Sequence, residues 1–258
     1  MTTTAPHTRA WQDVLAHIEQ RLLDGSLLPG DHLPSERTLA ADLGVGRSSV
    51  REALRVLEVL GLLRTHTGSG PESGAIIIAR PSGGMSSLMR LQVAAQGFRV
   101  EDVVSTRLIL ETAVAGQLAE AVAGDRMPDL LPALEILDAM EVAPQPAEPP
   151  TPTEFLALDA QFHFSLAMAT GNEVIAATMS GLRSSIESYS TAGVANLESW
   201  AATSARLMGE HRAIIAAIES GDPGAARASV EGHITQYYAE AGFGRPEHPF
   251  TPKGPHHG

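Results

Sequence analysis

The stretch from Pro29 to Gly61, PGDHLPSERTLAADLGVGRSSVREALRVLEVLG, constrains this chain more than any other part of it. Two short helical patterns flank a tight glycine turn, and four arginines (Arg37, Arg47, Arg51, Arg55) lie along them. Pro34-Ser35-Glu36 opens the first helix, with Ser35 placed to accept from its free N–H groups. Gly44 stops that helix after Leu43, and Arg47-Ser48-Ser49 begins the second, which runs to about Val59. Leu39, Ala40, Leu43, Val45, Val50, Ala53, Leu54 and Leu57 supply the apolar face that holds the pair together. Such a pair presents the first turn of its second helix outward. Arginine there can bond bidentately to guanine, and serine can meet phosphate or base. The competing reading is an ordinary helical pair whose arginines are merely solvated.

Charge argues against DNA until it is divided. The 258 residues carry a net charge of −12. Residues 1–80 hold 8 arginines against 9 carboxylates, whereas residues 81–258 hold 10 basic against 21 acidic side chains. Locally placed arginines can still engage phosphate, and the acidic remainder discourages non-specific binding. The length suits two modest domains. With no cysteine, a metal site must use His, Asp and Glu. The first twenty residues lack a signal-peptide core. No run approaches the roughly 20 apolar residues of a membrane span, so a cytoplasmic protein with no membrane partner is expected.

Apolar residues at 11, 14, 15, 18, 22 and 23 predict a first helix ending at Asp24-Gly25. Leu62–His66 and Ala75–Ile78 predict a hairpin around the Gly/Ser/Pro-rich tip 67–74. Pro81-Ser82-Gly83-Gly84 is the expected domain boundary. Beyond it, helices are expected near 85–96, 100–123, 127–141, 153–170, 173–189, 197–220 and 223–241, with a proline-rich surface loop over 142–152. Asp222 should cap the last helix, with Pro223 in its first position.

Residues 25–70 resemble the GntR family of bacterial winged-helix repressors. The resemblance rests on Gly25, Leu28, Pro29-Gly30-Asp31, Leu33-Pro34-Ser35-Glu36-Arg37, Leu39-Ala40, Leu43-Gly44-Val45, Arg47, Val50-Arg51-Glu52-Ala53-Leu54, Leu57, Gly61-Leu62 and Gly68-Ser69-Gly70. It implies that Arg37, Arg47 and Arg51 contact an operator, assisted by Ser48, Ser49 and the wing residues His66, Gly68 and Gly70. Two positions depart from the pattern. Gly46 stands where the family has serine or threonine, which weakens the helix cap, and the wing tip GSGPESGAII is longer than usual.

In the helical half, Asp159 and His163 lie four residues apart on one helix face, a two-ligand spacing. His211 and His233 follow on two later helices. Carboxylate plus imidazoles suits Zn first, with Ni, Mn or Fe as alternatives. Each also has a plain reading: His163 as a core histidine, His211 as a surface ion pair with Glu210. The strings LDAQFHFSLAMATGN, EHRAIIAAIESGD and GHI, with Arg107 and Glu111 in STRLILETAVAGQLAE, resemble the FCD effector domain of the FadR subfamily over roughly 86–241. That resemblance implies an antiparallel helical bundle in which Asp159, His163, His211 and His233 hold one divalent metal. It also implies that Arg107 faces the same cavity and pairs with a carboxylate effector, a task its planar fork suits. The alternative for Arg107 is an intrahelical pair with Glu111. Asn172 is expected to cap a helix, and the remaining histidines have no matching context.

The expected protein is mainly α: a winged helix-turn-helix (three helices plus a β-hairpin wing) followed by an all-α antiparallel bundle. The expected boundaries are a disordered arm over 1–9, the DNA-binding domain over 10–80, a linker over 81–86, the effector-binding and dimerisation domain over 87–242 and a disordered tail over 243–258. Together these imply a ligand-responsive transcription repressor, not an enzyme, binding a palindromic operator as a homodimer. The alternatives are the same regulator without metal, its helical domain serving dimerisation or a larger acyl ligand, and, more remotely, a metal-dependent hydrolase.

Overall fold

The computed structural model describes residues 10–66, 74–78, 98–141 and 151–243, together with Gly84, Leu88, Leu91 and Ala95. The expected arm, the wing tip with Gly68 and Gly70, the linker apart from Gly84, most of the expected helix over 85–96, the proline-rich stretch 142–150 and the tail from residue 244 lie outside the described residues. The chain divides into two compact units, Met1–Leu88 and Met89–Gly258.

The first unit contains α1 (Ala10–Leu23), α2 (Glu36–Leu43), α3 (Arg47–Val59), β1 (Leu63–His66) and β2 (Gly74–Ile77). α1 buries Val14 and Ile18, with Trp11, Leu15 and Leu22 at the margin. Leu23, expected to extend that stripe, is exposed because the helix ends there and the chain reverses at Gly25, φ 73°. Ser35 Oγ accepts the Thr38 N–H at 3.2 Å and so starts α2, and Gly44 ends it in the left-handed region at φ 64°. α1, α2 and β1 pack on α3. Val50, Ala53, Leu54 and Leu57 of α3 are buried with Leu39 and Ala40, while Leu43 and Val45 close the edge. Full burial of a side chain such as Leu57 contributes roughly 1.5–3 kcal/mol, which is what fixes the crossing of so short a helix pair.

The hairpin pairs antiparallel, from Leu63 opposite Ile77 to His66 opposite Gly74. A third segment joins it. His32 bridges Ile76, the Leu33 N–H donates to Ala75 O at 2.8 Å, and the Gly30 N–H donates to Ile77 O at 2.9 Å. The Pro29-Gly30 turn therefore also edges the sheet, a pairing too short to leave an alternating pattern. Glu58 accepts the Thr65 N–H at 3.1 Å and the Thr65 hydroxyl at 2.5 Å, which fastens the wing to α3.

The second unit contains α4 (Val100–Ala123), α5 (Leu131–Glu141), α6 (Pro152–Ala169), α7 (Glu173–Gly193), a 3-10 turn (Val194–Asn196), α8 (Trp200–Glu219) and α9 (Pro223–Glu240). α4 packs against α6, α7, α8 and α9. Gly171 and Gly221, at φ 71° and 66°, permit the tight reversals before α7 and α9. Asn172 Oδ1 accepts the N–H groups of Val174 and Ile175 at 3.1 and 3.2 Å, and Asp222 Oδ1 accepts that of Ala225 at 2.9 Å. Several ends differ from expectation. α5 begins at Leu131 rather than 127, after Pro128, where Asp129 Oδ1 accepts the Leu131 N–H at 3.2 Å. Thr151 and Pro152, expected in the loop, form the capping box and first position of α6. α7 runs on to Gly193 instead of stopping near 189. Among the described residues, no helix is long and apolar enough to cross a membrane.

Candidate nucleic-acid interface and metal centre

α3 is covered on one face only. Arg47, Ser48, Arg51 and Arg55 lie on its exposed side, Ser49 is half-buried, and Arg37 is exposed on α2. The side chains of Arg47 and Arg51 are 64% and 53% exposed. Glu36, in the first turn of α2, holds both: its Oε2 lies 3.2 Å from Arg51 Nη2 and 3.9 Å from Arg47 Nη2. Exposed ion pairs of this kind add little stability. Their consequence is orientation, since they keep two guanidinium groups above the first turns of α3. Gly46 precedes α3 with no side-chain acceptor, as its lack of a hydroxyl dictates, so the helix start remains available to an anion. The wing strand ends at His66.

The second constellation is buried. Asp159 and His163 project from one face of α6, His211 from α8 and His233 from α9. Their ligand atoms all lie within 4.8 Å of one another. Asp159 Oδ1 is 3.0 Å from His211 Nε2, 3.5 Å from His233 Nε2 and 4.0 Å from His163 Nε2. The other ring nitrogens are held from behind. His163 Nδ1 lies 2.8 Å from Glu111 Oε2, and His233 Nδ1 lies 2.9 Å from Glu210 Oε2. An Nδ1–H donating to each carboxylate leaves an Nε2 lone pair on each ring facing the centre. Those two Nε2 atoms are 3.1 Å apart, a repulsive approach unless a cation or a shared proton lies there. Among the described residues, no partner makes a directed hydrogen bond to either ring nitrogen of His211, although it is fully buried. Phe162 packs on its ring at a centroid distance of 4.6 Å.

These features fit a divalent metal. Ligands at about 2.1 Å from an ion stand roughly 3–3.5 Å from their neighbours, the range occupied by three of the four separations above. Burial pushes the His211 imidazole down to about 4, which keeps it neutral and able to ligate. Burial opposes the charge on Asp159, yet the His211 and His233 imidazole nitrogens close to its Oδ1, at 3.0 and 3.5 Å, outweigh it and hold the carboxyl well below its usual range. Glu111 behaves alike: burial raises it, but Arg107 and His163 bring it down to about 2.

Arg107 and Glu111 stand one turn apart on α4, both buried. Arg107 donates from Nε to Glu111 Oε1 at 2.7 Å and from Nη2 to Glu111 Oε2 at 3.3 Å. The intrahelical pair is therefore formed. Arg107 also lines a cavity with Asp159, His233, Ser190, Tyr237 and Tyr238. The Tyr237 hydroxyl donates to Ser190 O at 2.6 Å, whereas that of Tyr238 is buried with no hydrogen-bond partner among the described residues. The cavity measures about 10 Å³, room for roughly one water.

Residues 11–71 match the family described as bacterial regulatory proteins, gntR family, and residues 102–236 match the FCD domain. The chain belongs to the GntR family. Its members of this kind are DNA-binding transcription regulators rather than enzymes. The HTH-type transcriptional regulator LutR of Bacillus subtilis is 28% identical over 82% of this chain and 92% of its own length. The Glc operon transcriptional activator of Escherichia coli is 27% identical over 86% and 84%. Among solved structures, Streptococcus agalactiae GntR is 26% identical with a TM-score of 0.59, covering 88% of this chain and 98% of that one.

Within this GntR fold, the four ligand candidates come together and Arg107 lies beside them. Glu210 corrects one reading. It does not pair with its sequence neighbour His211, which points about 100° away around the helix. It accepts from His233 and is itself held by Arg206, whose Nη1 lies 2.5 Å away. Sequence reasoning also missed the second task of Glu111 on His163, and the hold of Glu36 on Arg47 and Arg51. The i,i+4 spacing of Arg107 and Glu111 was visible; contacts between separate helices left no local signal.

Proposed function

We propose that this GntR regulator binds a palindromic operator as a homodimer and senses a small organic carboxylate through a metal-assisted site. On the DNA side, Arg37, Arg47 and Arg51 read base edges or phosphates. Ser48 and Ser49 add phosphate contacts, and His66, Gly68 and Gly70 approach the flanking groove from the wing. The two α3 helices of a dimer then sit about one DNA turn apart, on the order of 34 Å.

Asp159, His163, His211 and His233 hold one divalent ion, zinc fitting a three-nitrogen, one-oxygen set best. A bound ion supplies an electropositive anchor for a carboxylate. Arg107 contributes a fixed second charge at the cavity wall, and Tyr238 offers a hydroxyl with no partner among the described residues. With space for about one water, the site takes an effector by replacing water and moving its lining. A larger acyl ligand would need a far bigger rearrangement. The convergence of four buried ligand atoms beside a buried guanidinium is the observation that carries this reading.

The effector must bind one arrangement of the DNA-binding units more tightly than another, otherwise it shifts nothing. Repression is the sign proposed. In vitro transcription from the promoter carrying the operator tests it: transcript must fall on adding protein and recover with effector. A rise on adding protein makes the molecule an activator.

A further inference from the structure

Two carboxylates hold the ligand imidazoles from behind, and they are anchored differently. Glu210, behind His233, is paired with Arg206, which also reaches Glu240 Oε2 at 2.6 Å. That chain leads to the surface, where Arg206 is 22% and Glu240 36% exposed. Glu111, behind His163, is 4% exposed and is paired with Arg107, which lines the cavity. Glu111 Oε2 accepts from both Arg107 Nη2 and His163 Nδ1. His163 itself does not border the cavity, whereas His233 does.

We infer that Glu111 is a positioning residue that couples anion binding at Arg107 to the basicity of His163, one of the four ligands. The inference rests on the metal and carboxylate readings above. Arg107 holds Glu111 through Nε–H and one Nη2–H, the latter the longer contact at 3.3 Å, which leaves Nη1–H and the second Nη2–H for an incoming carboxylate. That carboxylate shares the guanidinium charge and competes at Nη2, so Glu111 loses part of its neutralising partner and its charge falls more fully on the His163 Nδ1–H. A stronger bond there makes Nε2 a better donor to a cation. Anion and cation therefore tighten each other, and the effect is reciprocal. No comparable route runs through Glu210, whose arginine is tied to Glu240 and lies outside the cavity lining.

The test is nitrogen-detected NMR of the ring N–H groups in the full-length, Zn²⁺-loaded protein, titrated with acetate. Simple proximity predicts a response at His233, which borders the cavity. Coupling through Glu111 predicts that the His163 Nδ1–H moves as well. In Arg107→Lys, which keeps the charge but not the fork, the His163 response should fall below half while that of His233 persists. Glu111→Gln should lower Zn²⁺ affinity on the order of 10–100-fold and abolish the His163 response. A response confined to His233, or one at His163 unchanged in Arg107→Lys, overturns the coupling alone. Imidazole signals that do not respond to Zn²⁺ overturn the metal reading and the coupling with it. Rings that respond to Zn²⁺ but not to acetate overturn the anion reading and the coupling.

Discussion

The outer face of α3 and the interior between α4, α6, α8 and α9 use the same chemistry, arginine paired with glutamate, under opposite conditions. Arg51 and Glu36 meet at 3.2 Å in solvent, and Arg107 and Glu111 meet at 2.7 Å with almost none. In water the pair is weak and exchangeable, so Arg51 can leave Glu36 for a phosphate or a guanine at little cost. In the interior the ions have lost their hydration, so every donor and acceptor has to be satisfied by protein or ligand. The first arrangement suits a surface that must engage many DNA sites and release them. The second suits a site that stays specific because a mismatched occupant leaves a buried charge unpaired.

The largest expected contrast comes from the same truncation made in both places. Arg107→Met should destabilise the protein by about 3–5 kcal/mol, because Glu111 is left as a buried charge. Arg51→Met should stay within about 0.5 kcal/mol. Urea titrations of the two variants check this, and equal losses would erase the distinction. Next in size is metal linkage. Saturation with Zn²⁺ at 100 times its dissociation constant should add about 2.7 kcal/mol to the effector-binding unit. Chelator should remove that gain, read as a calorimetric shift of the transition belonging to residues 89–258.

On DNA the order reverses. Arg47→Ala and Arg51→Ala should each weaken operator binding by about 1–3 kcal/mol if they read bases, without moving the melting temperature. Fluorescence anisotropy with a palindromic duplex measures this, and two variants that bind like the parent would remove α3 from the groove. The smallest effect concerns the helix start. Gly46 has φ −71° and ψ 145°, and a Cβ there meets nothing closer than Ser48 Oγ at 3.5 Å. Gly46→Ser should therefore cap α3 and stabilise it by a few tenths of a kcal/mol, with a modest gain in DNA affinity from the added hydroxyl.

The same contrast explains what could be read from the chain. The helix-turn-helix was legible because its instructions are local. Ser35 caps, Gly44 stops, Gly46 leaves α3 without a side-chain cap, and Val50 to Leu57 repeat at helical spacing. The ligand set was legible at Asp159 and His163, four residues apart, and needed a family resemblance to add His211 and His233. The helix reach of α5, α6 and α7 was misjudged by a few residues where Asp129, Thr151 and the run to Gly193 set the ends. The roles of Glu36 and Glu210 were not legible, since each acts on a residue of another helix. Adjacency even misdirected, placing Glu210 with His211 when the fold gives it to His233.

The central claim is that Asp159, His163, His211 and His233 form one metal site. Zinc content after loading and desalting, measured in the full-length protein and in His211→Ala, tests it most directly. The account predicts one ion per chain, lost in the variant, with X-ray absorption showing nitrogen and oxygen ligands at about 2.0–2.1 Å. A protein that retains no zinc, or a variant that retains as much as the parent through histidines elsewhere in the chain, contradicts it.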